Sequence, residues 1–294
     1  KTQTKFRATI SIINKQQIIM LRLLNIELHK LKYSRASRIL IFIYFALLTS
    51  IALIAAIKFD IGPVKFHLAE QGIFNFPYIW HLNTFLASWF KFFLLLVIVS
   101  MMANEYSNKT LKQNLIDGLS KKEFVLSKFY TVILLSFIST IFVFIVSLIL
   151  GYIYSDFTEF SIITTDLEYL FAFFIKLIGF FSFGLFLGIL VKRSAFAVGG
   201  MFVWFIIESF TKGMLYWKFK PNVDEIMRFL PLEAMSNLIK EPFTRLSAVK
   251  TVAKQVGEDL SKDFSVQPLD ILIVLIWTSI FVYLSYYLLK KRDL

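Results

Sequence analysis

The chain has 294 residues, of which 57% are hydrophobic and 18% charged, with no cysteine and a formal net charge of +12. A soluble domain holds about 45–50% apolar and about 25% charged residues, so this composition, with 34 Phe, excludes one water-soluble core and points to a polytopic membrane protein. The missing cysteine excludes disulfides, thiolate metal sites, a Cys nucleophile and S-palmitoylation.

Residues 1–19, KTQTKFRATISIINKQQII, have neither the compact apolar core nor the small-residue cleavage site of a signal peptide. They are expected to be a disordered extension, with Met20 as the biological start. Over 20–38, Met20, Leu24, Leu28 and Leu31 fall on one helical face, and Arg22, Lys30, Lys32, Arg35 and Arg38 add positive charge. This pattern predicts an amphipathic helix lying on the inner membrane surface, or else the solvated start of a long first span.

At about 1.5 Å of rise per residue, about 20 apolar residues cross a hydrocarbon core of roughly 30 Å. Segments 39–57, 129–155 and 271–289 qualify without a charge, and 79–102, 169–191 and 195–211 qualify with one each, namely Lys91, Lys176 and Glu208. Six spans follow. With the N-terminus inside, the inner segments carry 19 basic and 5 acidic residues, and the outer segments 11 basic and 14 acidic. The positive-inside rule therefore predicts cytoplasmic N- and C-termini. The basic balance is a topology signal facing anionic lipid, not a nucleic-acid surface, since no basic stretch carries interleaved aromatics.

The last outer segment, 212–270, is too long for a bare loop. Pro231 can open a helix carrying Leu232, Met235 and Leu238, and Pro242 stops it. Leu246, Val249, Val252, Val256 and Leu260 recur at helical spacing. Short outer helices are expected there, with Tyr216 and Trp217 at the interface.

Between the second and third spans runs ANEYSNKTLKQNLIDGLSKKEFVLSK, residues 103–128. Ser107 or Asn108 can cap a helix at about 108–118, whose apolar face is Leu111, Leu115 and Ile116 and whose stop is Gly118. Ser120-Lys-Lys-Glu123 is a capping box that starts the third span. The bland reading is a cytoplasmic loop that happens to be helical.

This stretch resembles the corresponding segment of ABC-2-type permeases, the membrane subunits of ATP-binding-cassette exporters. The matching residues are Glu105, Thr110-Leu111, Gly118, Lys121 or Lys122, and Lys128, with Lys109 where the family often has Gly and no Pro at the break. FLPLEAMSNLI (229–239) and WTSIFVYLSYYLLKKRDL (277–294) resemble the family's outer segment and its C-terminal span with basic tail. The similarity runs over about 20–294. It implies an all-α, type V exporter-like bundle of six transmembrane helices in a bacterial cytoplasmic membrane. It further implies a coupling helix docked on a separate ATPase subunit, which would hold the ATP and Mg, and a second permease copy or paralogue. On that reading Leu111, Leu115 and Ile116 seat the coupling helix, Lys109, Lys112, Gln113 and Asn114 meet the ATPase, and Glu105 fixes the end of the second span.

A lysine at mid-span costs about 2.5–3.5 kcal/mol on insertion scales. Lys91, Lys176 and Glu208 are thus candidate pathway residues, Glu208 pairing with a lysine; snorkelling to the interface is the alternative. Gly184 and Gly188 read as a helix-packing face, and Gly199-Gly200 as a close-approach point. His67 and His81 read as interfacial. The chain shows no His-Glu-x-x-His, no Gly-x-Ser-x-Gly and no Gly-x-x-x-x-Gly-Lys, so no catalytic role and no resident cofactor is expected. The expected function is export of a hydrophobic or amphipathic substrate, and the competing one is a membrane scaffold or assembly factor without transport.

Overall fold

The computed structural model describes residues 20–55, 58–61, 64–67, 72–219, 223–245 and 263–292. The expectations for residues 1–19 and for the helical spacing from Leu246 to Leu260 lie outside these. The chain opens with α1 (Met20–Tyr33), which meets α2 (Arg35–Ala55) at a bend of 89°. Ser34 stands at the bend, where its hydroxyl accepts from Ser37 N at 3.3 Å and bonds the Ser37 hydroxyl at 2.9 Å. This side chain satisfies a backbone donor that the first turn of α2 leaves free.

Next comes a hairpin of β1 (Lys58–Ile61) and β2 (Val64–His67), paired antiparallel with Lys58 opposite His67. It is a single pair of four-residue strands among the described residues of an otherwise helical fold. The segment alternates apolar and polar residues (Phe59, Ile61, then Val64, Phe66), which is the two-residue period of a strand. After it follow α3 (Tyr78–Ser107), α4 (Thr110–Ile116), α5 (Lys121–Tyr154), α6 (Phe160–Ile163), α7 (Glu168–Val191), α8 (Ser194–Phe219), α9 (Val223–Met227), α10 (Pro231–Asn237) and α11 (Pro268–Lys291). A 3₁₀ turn at Phe243–Arg245 precedes α11.

Among the described residues, α3, α5, α7 with α6 before it, α8 and α11 are long and apolar enough to cross a membrane, and the bent α1–α2 pair makes a sixth if taken as one span. The molecule is therefore a helical, multi-pass membrane protein by length and composition. α8 runs two turns past the expected end at 211.

α7 is the centre, with most of its side chains buried from Tyr169 to Ile189. Gly184 lets it meet α3 closely: a Cβ there would lie 2.2 Å from Leu95 Cδ1. Gly188 repeats this against Met102, and Gly179 does the same for Val274 of α11, so small residues bring these backbones together. Among the described residues Gly199 has open space around it and Gly200 meets only Leu187 at 3.8 Å, so the close approach expected there is not made among them. Buried polar groups tie α5 to its neighbours, through Tyr44 to Ser139 and through Asn83 Nδ2 to Ser147 at 2.9 Å.

Each end of the bundle is stitched separately. At the end carrying α4, Arg292 donates to Ile189 O, to Leu190 O at 2.8 Å and to Tyr106 at 3.2 Å, while Lys121 Nζ donates to Arg292 O at 2.9 Å. A cation thus meets the free carbonyls at the C-terminus of α7. At the other end, Trp80 donates to Ile163 O at 2.9 Å, Tyr169 to Phe264 O at 2.6 Å, and Arg228 to Asp270 at 2.7 Å.

Candidate functional site

The chain leaves α3 at Ser107 and reverses through Lys109, whose left-handed backbone (φ 56) redirects it into α4. The expected cap from Ser107 or Asn108 is not made: the Ser107 hydroxyl turns back to Asn104 O at 3.4 Å, and α4 has no side-chain cap. At the far end Gly118 takes φ 94. Leu119 N then reaches Asn114 O at 3.0 Å and Gly118 N reaches Leu115 O at 3.2 Å, the paired bonds of a Schellman stop. Ser120 and Glu123 form the expected capping box at the start of α5. Two sharp signals therefore hold a short helix between two spans.

Beneath α4 lies an ionic cluster. Glu105, at the end of α3, directs Oε1 to Lys128 Nζ at 2.6 Å and to Lys30 Nζ at 2.7 Å. Its Oε2 accepts from Thr110 Oγ1 at 2.6 Å and from Asn114 Nδ2 at 3.5 Å. Lys128, in the second turn of α5, also reaches Glu27 Oε2 of α1 at 2.6 Å. Lys30 closes the ring on Glu27 Oε1 at 3.5 Å. Two acids and two bases alternate, so the cluster is neutral, and the Lys128 side chain has no solvent exposure at all. Burial works against the Lys30 ammonium, but Glu27 and Glu105 offset it and hold its pKa above the usual lysine value.

A buried ion pair is weak evidence for stability, because desolvating the charges offsets most of their attraction. What such a cluster supplies is geometry. Glu105 ties together the end of α3, the first turn of α4, α5 and α1, so α4 cannot shift without pulling on both flanking helices. Between α1 and α4 a cleft of about 330 Å³ opens, lined by Arg22, Ile26, Lys30, Asn114, Asp117 and Leu119 among others.

The expected docking residues divide on this scaffold. Leu111 is buried and Leu115 half-buried against the core. Ile116, expected to seat the helix, stands 69% exposed beside exposed Lys109, Lys112 and Gln113. Asn114, expected on the outward face, turns its amide toward Glu105. Sequence reasoning missed Glu27 and Lys30. The apolar stripe proposed for α1 was Met20, Leu24, Leu28 and Leu31, yet the packed face is Leu23, Glu27 and Leu31, with Met20 and Leu28 exposed. Glu27 lies one turn from Leu23 and from Leu31, a spacing that a solvent-facing glutamate can equally have.

The three candidate pathway residues separate. Among the described residues Glu208 pairs with no lysine. Its carboxylate accepts from Leu232 N at 3.1 Å, Glu233 N at 2.9 Å and Trp204 Nε1 at 2.6 Å, so it caps α10, whose first turn has free N–H groups and Pro231 at its start. Lys91 lies over the Phe180 ring at 4.4 Å, and Lys176 is 3% exposed. His81, expected at the interface, is buried, stacked on Tyr169 at 4.1 Å and bonded to Lys240 O at 2.9 Å. Among the described residues no group of three or more Asp, Glu or His side chains converges as a metal site.

A family described as a protein of unknown function, DUF2705, matches residues 52–294. The chain belongs to DUF2705. The match takes in Glu105, Thr110 and Lys128, whereas Glu27 and Lys30 lie before it. No curated protein matches this DUF2705 chain.

Proposed function

We propose that the chain is the membrane-spanning permease subunit of an ATP-binding-cassette exporter of the ABC-2 type, moving a hydrophobic or amphipathic substrate across a bacterial cytoplasmic membrane. The observation that carries this reading is the fastening of α4. A short helix between two spans is held to both through Glu105 and turns Lys109, Lys112, Gln113 and Ile116 outward. Those residues form the surface on which a separate ATPase would dock. ATP and Mg belong to that partner. Its closure on nucleotide would displace α4, and the ring of Glu105, Lys128, Glu27 and Lys30 would pass the displacement to α3, α5 and α1. The spans then exchange between two accessible states, biased by ATP. A second copy or a paralogue completes the pathway, and both termini lie on the ATPase side.

The experiment is purification from the native membrane in mild detergent, with the co-purifying proteins identified by mass spectrometry, alongside Ile116→Asp. Ile116 is exposed, so this variant keeps the fold. A P-loop ATPase in near-equal amount, lost with Ile116→Asp, is the expected result. Recovery of other native complexes without any ATPase would overturn the reading and leave a membrane scaffold in its place.

A further inference from the structure

Lys176 lies eight residues into α7, about 12 Å below the end where α7 begins. It is 3% exposed, yet among the described residues it makes no hydrogen bond and no ion pair. One turn further along α7, Phe180 carries Lys91 of α3 over its ring, with the Lys91 Nζ 4.4 Å from the centroid. Lys176 and Phe180 are four residues apart on one face of α7, so the two lysine side chains are brought to one place within the spans.

An ammonium in a membrane interior is costly, so a lysine there meets an anion, faces a cavity or gives up its proton. Among the described residues neither lysine has a carboxylate partner. The carboxylates of α3, α5, α7, α8 and α11 are Glu105, Glu123, Glu168, Glu208 and Asp270, and each accepts a hydrogen bond from a group other than these two lysines. Beside Lys91, Trp89 is 62% and Phe92 51% exposed, so the α3 face next to this lysine presents apolar rings outward.

We propose that Lys91 and Lys176 bind the anionic headgroup of an amphiphile whose hydrocarbon tail lies along Phe92 and Trp89. A phosphate or carboxylate fits, since either accepts from both ammonium groups at once. An exported amphiphile and a resident bilayer lipid share this chemistry. The inference rests on the exporter reading only for the first source.

The test uses the full chain in phosphatidylcholine nanodiscs, without ATPase, and reads bound ligand by native mass spectrometry. Dodecyl phosphate, dodecylphosphocholine, phosphatidylglycerol and inorganic phosphate are the probes. Dodecyl phosphate or phosphatidylglycerol is expected to be retained at least about tenfold better than its zwitterionic counterpart, the scale of a charge-assisted contact. Lys91→Gln/Lys176→Gln should abolish the preference and Lys176→Arg should keep it. Preference for the single-tailed phosphate assigns the site to a mobile amphiphile, and preference for phosphatidylglycerol to a lipid; both support the anion site. Equal retention of anionic and zwitterionic probes overturns it. So does a preference that survives in the double variant, or inorganic phosphate binding as well as either amphiphile. Because no ATPase is present, failure here leaves the exporter reading to its own test.

Discussion

The Lys128 ammonium lies 2.6 Å from both Glu27 Oε2 and Glu105 Oε1, and the side chain between them is wholly enclosed. Removing one charge of a buried pair costs about 3–5 kcal/mol, and here it would leave Glu27 and Glu105 to share Lys30 alone. Lys128→Met should therefore lower the thermal unfolding midpoint in detergent sharply. Adding Glu27→Gln removes one of the stranded carboxylates and should recover part of the loss. A double variant no more stable than Lys128→Met would show that Glu27 and Lys128 do not act as a pair.

Thr110 belongs to α4 and its hydroxyl to Glu105. Thr110→Val keeps the shape and removes the bond, a loss of about 1.5–3 kcal/mol for a contact to a charged group. Hydrogen exchange should quicken at the α4 amides, from Leu111 to Leu115, while the buried amides of α5 stay protected. Uniform loss of protection would place the bond in global stability instead.

Glu208 serves the first turn of α10. Glu208→Ala should cost about 0.5–2 kcal/mol, the usual range for a lost cap. The faster exchange should be confined to Leu232, Glu233 and their neighbours. Glu208→Gln keeps one acceptor oxygen and should fall between the two. Transport, if it depended on Glu208 as a pathway charge, would instead fail equally in both variants.

Gly184 and Gly199 form a matched pair of sites. A Cβ at Gly184 would meet Leu95 at 2.2 Å, and one at Gly199 would meet nothing within 4 Å. Gly184→Val should destabilise by about 1–3 kcal/mol through overpacking, and Gly199→Ala should leave the midpoint within about 0.5 kcal/mol of the parent. If Gly199→Ala proves as damaging as Gly184→Val, a neighbour outside this chain packs against α8.

What could be read from residues alone was whatever depends on near neighbours in sequence. Hydropathy runs marked the spanning helices, Ser120 and Glu123 marked the start of α5, and Gly118 marked the end of α4, because each signal acts within one or two turns. Glu27 was invisible for the opposite reason. Its partner Lys128 is 101 positions away, and nothing local distinguishes a glutamate that will be buried by a distant helix from one that faces water. The α1 stripe failed because the bilayer is a second apolar solvent, so Met20 and Leu28 can face away from the bundle at no cost. The pairing of Glu208 failed similarly: α10 offered backbone donors that charge counting does not include.

The 34 residues of α5 make a rod of about 51 Å, against roughly 30 Å of hydrocarbon. With the rod upright, some 20 Å of it would extend beyond the acyl chains, shared between the two faces of the bilayer, and tilt would shorten that overhang. The overhang that carries Lys128 reaches into the headgroup layer, where membrane thickness becomes a mechanical variable. A thicker bilayer draws this overhang and the bent α1 toward the oil, and a thinner one frees them toward water. Acyl-chain length should therefore bear on how firmly the ionic cluster closes, an influence that acts without any ligand and differs from one membrane to the next.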